Sequence, residues 1–169
     1  MQQDIVGGVD HCGECGFAYD SVTARDLPGR LAAAGPRFGA ALAGIPDPRR
    51  RPSPEVWSPL EYTCHVRDVL RVQGRRLDLA LRTDDPEFVA MGREDLVVSD
   101  AYNAQDPRVV VAQLAAAADE LARAFTALSP AQWERTGIYN WPVVESRTML
   151  WLGRHTVHEV EHHLLDLTR

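Results

Sequence analysis

The chain has 169 residues, of which 45% are hydrophobic, and a formal net charge of −6. This length and composition predict one globular domain with a core of its own and exclude a disordered chain. No apolar run approaches the ~20 residues that span a bilayer, and the first residues have no signal-peptide pattern, so we expect a cytoplasmic protein without a membrane partner.

The basic residues are all arginine, and the only basic run is Arg49-Arg50-Arg51, which lies among prolines. A short run on an acidic chain does not form a surface that follows a phosphate backbone, so nucleic acid is not an expected partner. The lack of lysine beside abundant alanine is typical of proteins from GC-rich genomes.

The chain divides into a predicted N-terminal extension, residues 1–22, and a helical domain, residues 23–169. Helical spacing begins after Thr23 and stops at Gly44, and Pro36 is expected to kink or divide this first helix.

The second helix has the clearest local signal in the sequence. Ser58 is the predicted N-cap, Pro59 the first helical residue, and Glu61 completes a capping box. The helix is predicted to run to about Arg82 and to place His65 on its core-facing stripe.

Residues 83–105 show no persistent period and form a long connection, which is uncommon in a compact domain unless it has a function. A third helix starts at Asp106 with the apolar seam of a bundle, and a fourth is predicted from near Ser146 almost to the end. Nothing alternates over a strand length, so the prediction is an all-α four-helix bundle with a long connection between helices 2 and 3.

The fourth helix contains the stretch RHTVHEVEHHLLDL, with four of the six histidines. At about 100° per residue, His155, His158 and His162 fall within an arc of about 60°, whereas His163 points about 100° away from His162 and is expected in solvent. His158 and His162 have the i, i+4 spacing at which two imidazoles can bind one cation, although a solvated histidine face is the plain alternative. His65, on the core-facing side of another helix, favours a metal site over a solvated histidine face.

Two stretches together resemble the DinB/YfiT-like metal-binding bundles: VWSPLEYTCHVRDVL on the second helix and RHTVHEVEHHLLDL on the last. The resemblance covers about residues 20–169, and it carries no implication of DNA binding. It implies that His65, His158 and His162 bind a divalent metal, most simply Zn²⁺, and it leaves His155 and His163 unassigned. Three histidines leave one coordination position open, as in catalytic zinc sites.

The function implied by the resemblance is a metal-dependent hydrolase or a thiol S-transferase that acts on small molecules, with mycothiol as the thiol used by actinobacterial relatives. A homodimer is left open. Residues expected near the entrance, in the long connection, are Arg93, Tyr102, Asn103 and Gln105.

The pair Cys12 and Cys15 has the spacing of half a zinc site, and three alternatives stay open for it. The cysteines could join the histidine metal site, form a separate redox pair, or lie in a mobile tail without metal. If they complete the metal site, the competing function is a non-enzymatic zinc and thiol redox sensor. Cys64 is expected to be a small buried apolar residue.

Overall fold

A computed structural model describes residues 11–140 and 143–168; residues 1–10 of the predicted extension lie outside this range. Within the described part of the chain, the helices are α1 (Leu27–Ala32), α2 (Ala34–Ala43), α3 (Pro59–Arg82), α4 (Arg93–Ser99), α5 (Pro107–Thr126), α6 (Pro130–Trp133) and α7 (Met149–Asp166). Two short strands, β1 (Thr136–Tyr139) and β2 (Glu145–Thr148), precede α7, and single 3-10 turns lie at Tyr19–Ser21 and Tyr102–Ala104.

The predicted four-helix bundle is confirmed: α1 and α2 together form its first helix, and α3, α5 and α7 form the others. The first helix is divided at Ala33, three residues before Pro36. Pro36 lies in the first turn of α2, where backbone N–H groups have no partner within the helix, so the proline removes no hydrogen bond there.

The capping box at the start of α3 is confirmed. The Ser58 hydroxyl accepts a hydrogen bond from the Glu61 backbone N–H at 3.2 Å, and the Glu61 carboxylate accepts one from the Ser58 backbone N–H at 2.7 Å. Arg51 also donates to both Glu61 oxygens. The start of α3 is therefore fixed two turns before His65, and the helix ends at Arg82 as predicted.

The core lies between α7, α5, α3 and the divided first helix. Val157 and Val160 of α7 face it, since both are 1% exposed. The opposite face of α7 carries the histidines. Cys64 on α3 is fully buried, as expected, and burial raises the pKa of its thiol to about 12.

The sequence prediction missed the hairpin of β1 and β2, whose antiparallel register pairs Thr136 with Thr148 and Tyr139 with Glu145. Four-residue strands are too short to show a convincing alternation, and β2 begins with two exposed residues. Because β2 uses residues 145–148, α7 begins at Met149 rather than near Ser146, with the Thr148 hydroxyl as its cap. Among the described residues, no helix has the length and apolar content that crossing a bilayer requires.

Candidate metal centre

The histidine face of α7 is buried. His158, His162 and His163 are 3–4% exposed, which makes the prediction of a solvated His163 wrong. These side chains border a cavity of about 440 Å³ between α3, α7, the hairpin and the N-terminal residues 11–19. A buried face of imidazoles and carboxylates on a cavity is a place where metal ligands and substrate can meet.

One group on this face contains His65 from α3 with Glu159 and His163 from α7, and its potential ligand atoms lie within 4.8 Å of one another. The Glu159 Oε2 atom is 3.6 Å from His163 Nε2 and 4.0 Å from His65 Nε2. Nitrogen and oxygen ligands of one tetrahedral zinc lie about 3.3 Å apart, since each is about 2.0–2.1 Å from the metal. A small inward movement of these side chains would therefore fit the group to a cation.

Two members of the same group, His65 and Glu159, have the charge that a cation requires. Burial, and next the charge of His163, lower the pKa of His65 to about 3, so this imidazole is neutral, the form that binds metal. The Nδ1 atom of His65 is buried without a hydrogen-bond partner, an expensive state for a polar atom. Burial opposes ionisation of Glu159, but hydrogen bonds from His158 and His163 hold the pKa of its carboxyl well below the usual value.

Asp166 orients His163. The His163 Nδ1 atom donates to the Asp166 carboxylate at 2.9 Å, which leaves Nε2 directed at Glu159. Burial lowers the pKa of His163, but the hydrogen bonds to Asp166 and Glu159 outweigh it and raise the pKa to about 9. A carboxylate behind a ligand histidine is the arrangement that fixes imidazoles in metal sites.

A second group contains Cys12, Cys15, His158 and His162, again with potential ligand atoms within 4.8 Å of one another. The Cys12 Sγ atom lies 3.6 Å from His162 Nδ1. All three cysteines of the chain are free thiols.

The structure thus divides the predicted ligands His65, His158 and His162 between two groups instead of bringing them together. The reason is the rotation of α7: Glu159 and His163 repeat the i, i+4 spacing of His158 and His162 one residue later, about 100° around the helix, and α3 lies on that side. Sequence reasoning missed the Glu159–His163 pair because it sought histidine at both positions. Whether either group binds a metal stays a prediction.

Of the residues predicted near the entrance, in the long connection, one borders the cavity and three have other contacts. Arg93 borders the cavity. Tyr102 is fully buried and donates to Asp68 at 2.8 Å, the Asn103 amide accepts from Ser58, and Gln105 accepts from Arg67. These three residues hold the connection against α3 and the segment before it.

Two arginines that the sequence prediction omitted also border the cavity, Arg76 and Arg147. Arg76 donates to the Tyr139 hydroxyl at 3.0 Å, and its Nε atom is buried without a hydrogen-bond partner. Arg147 lies over the ring of Trp151, 4.6 Å from its centroid. Arg147 is also paired with the Glu145 carboxylate at 2.7 Å, and Glu145 borders the same cavity.

Comparison with known proteins agrees with this fold. The family model of the DinB superfamily matches residues 30–167. A solved structure of YfiT from Bacillus subtilis, described as a probable metal-dependent hydrolase with an unusual four-helix bundle topology, aligns with a TM-score of 0.78 at 16% identity, over 86% of this chain and 83% of that one. No curated protein matches the sequence. Since the family model covers most of its length, the chain belongs to the DinB superfamily.

Proposed function

We propose that this protein is a divalent-metal-dependent enzyme that activates water or a thiol for attack on an electrophilic small molecule. One observation carries the proposal: two imidazoles and one carboxylate, from His65, His163 and Glu159, converge from two helices at the edge of a cavity. Two histidines and a glutamate are an established ligand set of catalytic zinc, in which the fourth position stays open. We propose this His₂Glu set in preference to the three-histidine set that the resemblance implies.

A bound zinc would supply a Lewis acid that lowers the pKa of a water or thiol at the open position. The protein's own residues supply the orientation. Asp166 holds His163 through its Nδ1 atom, and the Tyr19 hydroxyl, 2.8 Å from His155 Nδ1, holds a further cavity imidazole. The aromatic ring of Trp151 gives the cavity an apolar wall.

Arg76 favours a substrate with an anionic group. Its guanidinium group stands on the α3 wall of the cavity, its buried Nε atom has no hydrogen-bond partner, and guanidinium groups are suited to carboxylates and phosphates. Hydrolysis and thiol transfer place the same demand on the metal, which is to make a nucleophile available near neutral pH. We therefore keep both reactions, with a low-molecular-weight thiol such as mycothiol as the second nucleophile.

The test uses the full chain, stripped with a chelator and reloaded with Zn²⁺. A panel of esters and amides measures hydrolysis, and a panel of alkylating electrophiles with added thiol measures S-transfer. We expect turnover in one panel, its loss in the His65→Ala variant, and its retention in Cys64→Ser, a buried thiol outside both groups. Full zinc content in a His65→Ala/His163→Ala variant would contradict the proposed ligand set.

The competing function is a zinc and thiol sensor, and the closeness of Cys12 to His162 is the observation in its favour. A sensor should release zinc when its thiols are oxidised, and should turn over nothing in either panel. Turnover that continues after mild oxidation of Cys12 and Cys15 would favour the enzyme over the sensor.

A further inference from the structure

We infer that the chain has a second, closed zinc site, formed by Cys12, Cys15, His158 and His162, which fastens the N-terminal segment to α7. This site shares no proposed ligand with the catalytic group, although Glu159 and Asp166 lie beside both, and the inference does not rest on the proposed function. Two thiolates and two imidazoles make up a complete tetrahedral shell with no position left for substrate, as in structural zinc sites.

The distances suit such a shell. The Cys12 Sγ atom and the His162 Nδ1 atom are 3.6 Å apart, in a group of four whose ligand atoms all lie within 4.8 Å of one another. Sulfur and nitrogen ligands of one tetrahedral zinc are also separated by about 3.6 Å, given bond lengths of about 2.3 Å and 2.0–2.1 Å. Both cysteines lie about 145 residues before the histidines, so the fold and not the local sequence brings them together.

The imidazoles are oriented for this role. The Nδ1 atom of His158 lies 3.2 Å from the Tyr19 hydroxyl and 3.3 Å from Glu159 Oε1. Its Nε2 atom, on the other side of the ring, is buried and has no hydrogen-bond partner. Such an atom in a buried site requires a partner, and a cation held by the neighbouring thiolates provides one.

The Nδ1 atom of His162 faces Cys12. Its Nε2 atom is buried without a hydrogen-bond partner, and the nearest carboxylate oxygens, of Glu14 and Asp166, lie 3.4 Å and 3.7 Å away. Carboxylates behind the second ring nitrogen are common in zinc sites, because they set the tautomer and the direction of the ring.

The cysteine turn is shaped to present both thiols. The Gly16 backbone N–H donates to the Cys12 carbonyl at 2.9 Å, and the Cys12 N–H donates to the Phe17 carbonyl at 2.9 Å. Gly16 has φ of +74°, which a residue with a side chain rarely adopts. The tight turn places the Cys12 and Cys15 side chains beside each other above α7.

The segment after the turn is already docked by apolar contacts, since Phe17, Tyr19 and Val22 are at most 7% exposed. A Cys12→Ser/Cys15→Ser variant should therefore fold, with the turn loosened but the rest of the segment in place. Because Tyr19 and Glu14 border the cavity, zinc at this site would also fix one wall of the proposed active site.

The test loads the full chain with Zn²⁺ under reducing conditions, removes loosely bound metal, and combines elemental analysis with zinc-edge X-ray absorption. We expect two zinc ions per chain and sulfur scattering at about 2.3 Å. The Cys12→Ser/Cys15→Ser variant should lose one zinc and all sulfur scattering. His65→Ala/His163→Ala should lose the other zinc, so that the sulfur count per zinc rises from about one to about two. Cys64→Ser, the matched thiol control, should resemble wild type.

The inference is overturned if wild-type protein shows no sulfur scattering, if the Cys12→Ser/Cys15→Ser variant keeps all its zinc, or if both double variants lose one and the same ion. Should the cysteine variant fail to fold, cobalt-loaded wild-type protein replaces it: thiolate-to-cobalt charge-transfer absorption supports the site and its absence refutes it. If only the cysteine variant loses zinc, the second site stands and the proposed catalytic site fails.

Discussion

Two pairs of side chains on α7 share one spacing and differ by a single position, yet they meet different partners. His158 and His162 lie beside the cysteines of the N-terminal segment, and Glu159 and His163 lie beside His65 of α3. A step of one residue turns a helix by about 100°, enough to direct successive pairs at different neighbours. One helix can thus serve a closed thiolate site and an open His₂Glu site at once.

The two groups are also in contact. Glu159 directs Oε1 at His158 and Oε2 at His163, and Asp166 bonds His163 while lying 3.7 Å from His162. A change at either carboxylate should therefore affect both groups, whereas a change at His65 or at the cysteines should affect one. Mutations can test whether a substitution affects one group or both.

The largest effect on kcat/KM is expected from His65→Ala, and it should exceed the effect of Cys12→Ser/Cys15→Ser. Loss of His65 should lower kcat/KM more than about 100-fold, because changes behind a metal ligand already cost about 10- to 100-fold in activity or affinity. The cysteine variant should lose less, since its thiols are outside the proposed catalytic group. Steady-state kinetics on the zinc-loaded proteins measures both, and equal losses would mean that the groups act as one.

Asp166→Asn should have a smaller effect than His65→Ala. It should weaken the affinity for zinc at both groups, but by different amounts. The direct 2.9 Å bond to His163 predicts about a 10- to 100-fold weaker affinity for zinc at the His65 group. The longer approach to His162 predicts a smaller loss at the cysteine group. Competition titration with a chromogenic chelator resolves the two affinities. A larger loss of affinity at the cysteine group would contradict the assignment of Asp166 to His163.

Tyr19→Phe should remove one hydroxyl that lies 2.8 Å from His155 and 3.2 Å from His158. We expect the free energy of unfolding to fall by about 1 kcal/mol, the usual net contribution of one hydrogen bond. Urea denaturation of the wild type and the variant, both zinc-loaded, measures it. Zinc content should stay unchanged, since the phenol is not a proposed ligand.

Ser58→Ala should be the mildest change for the metal sites, because it loosens α3 only at its start. Loss of the cap should lower the free energy of unfolding by about 1 kcal/mol. His65 lies two turns further and is held by packing, so zinc content and kcat/KM should match wild type. A loss of zinc in this variant would show that the His65 group depends on the end of the helix.

The parts of the fold that are coded locally could be predicted from the sequence. The Ser58 capping box depends on residues three apart, and the seam of α5 from Val110 to Phe125 repeats with the helical period. The hairpin before α7 could not be predicted, because four-residue strands with an exposed start carry almost no pattern.

The candidate site was predicted in part. The sequence placed the candidate ligands on α3 and α7, and His65 lies in one of the two groups. The partners of His65 depend on how α7 is rotated against α3, which is set by core packing of residues such as Val157 and Val160 and not by the histidine spacing. The signal in the sequence was the pair of acidic residues Glu159 and Asp166, which lie one turn before and one turn after His163.

Anomalous diffraction at the zinc edge, from crystals of the zinc-loaded protein, locates the metal ions directly. We expect two peaks beside α7, one among His65, Glu159 and His163, and one among Cys12, Cys15, His158 and His162. A single peak bound jointly by His65, His158 and His162 would contradict this expectation.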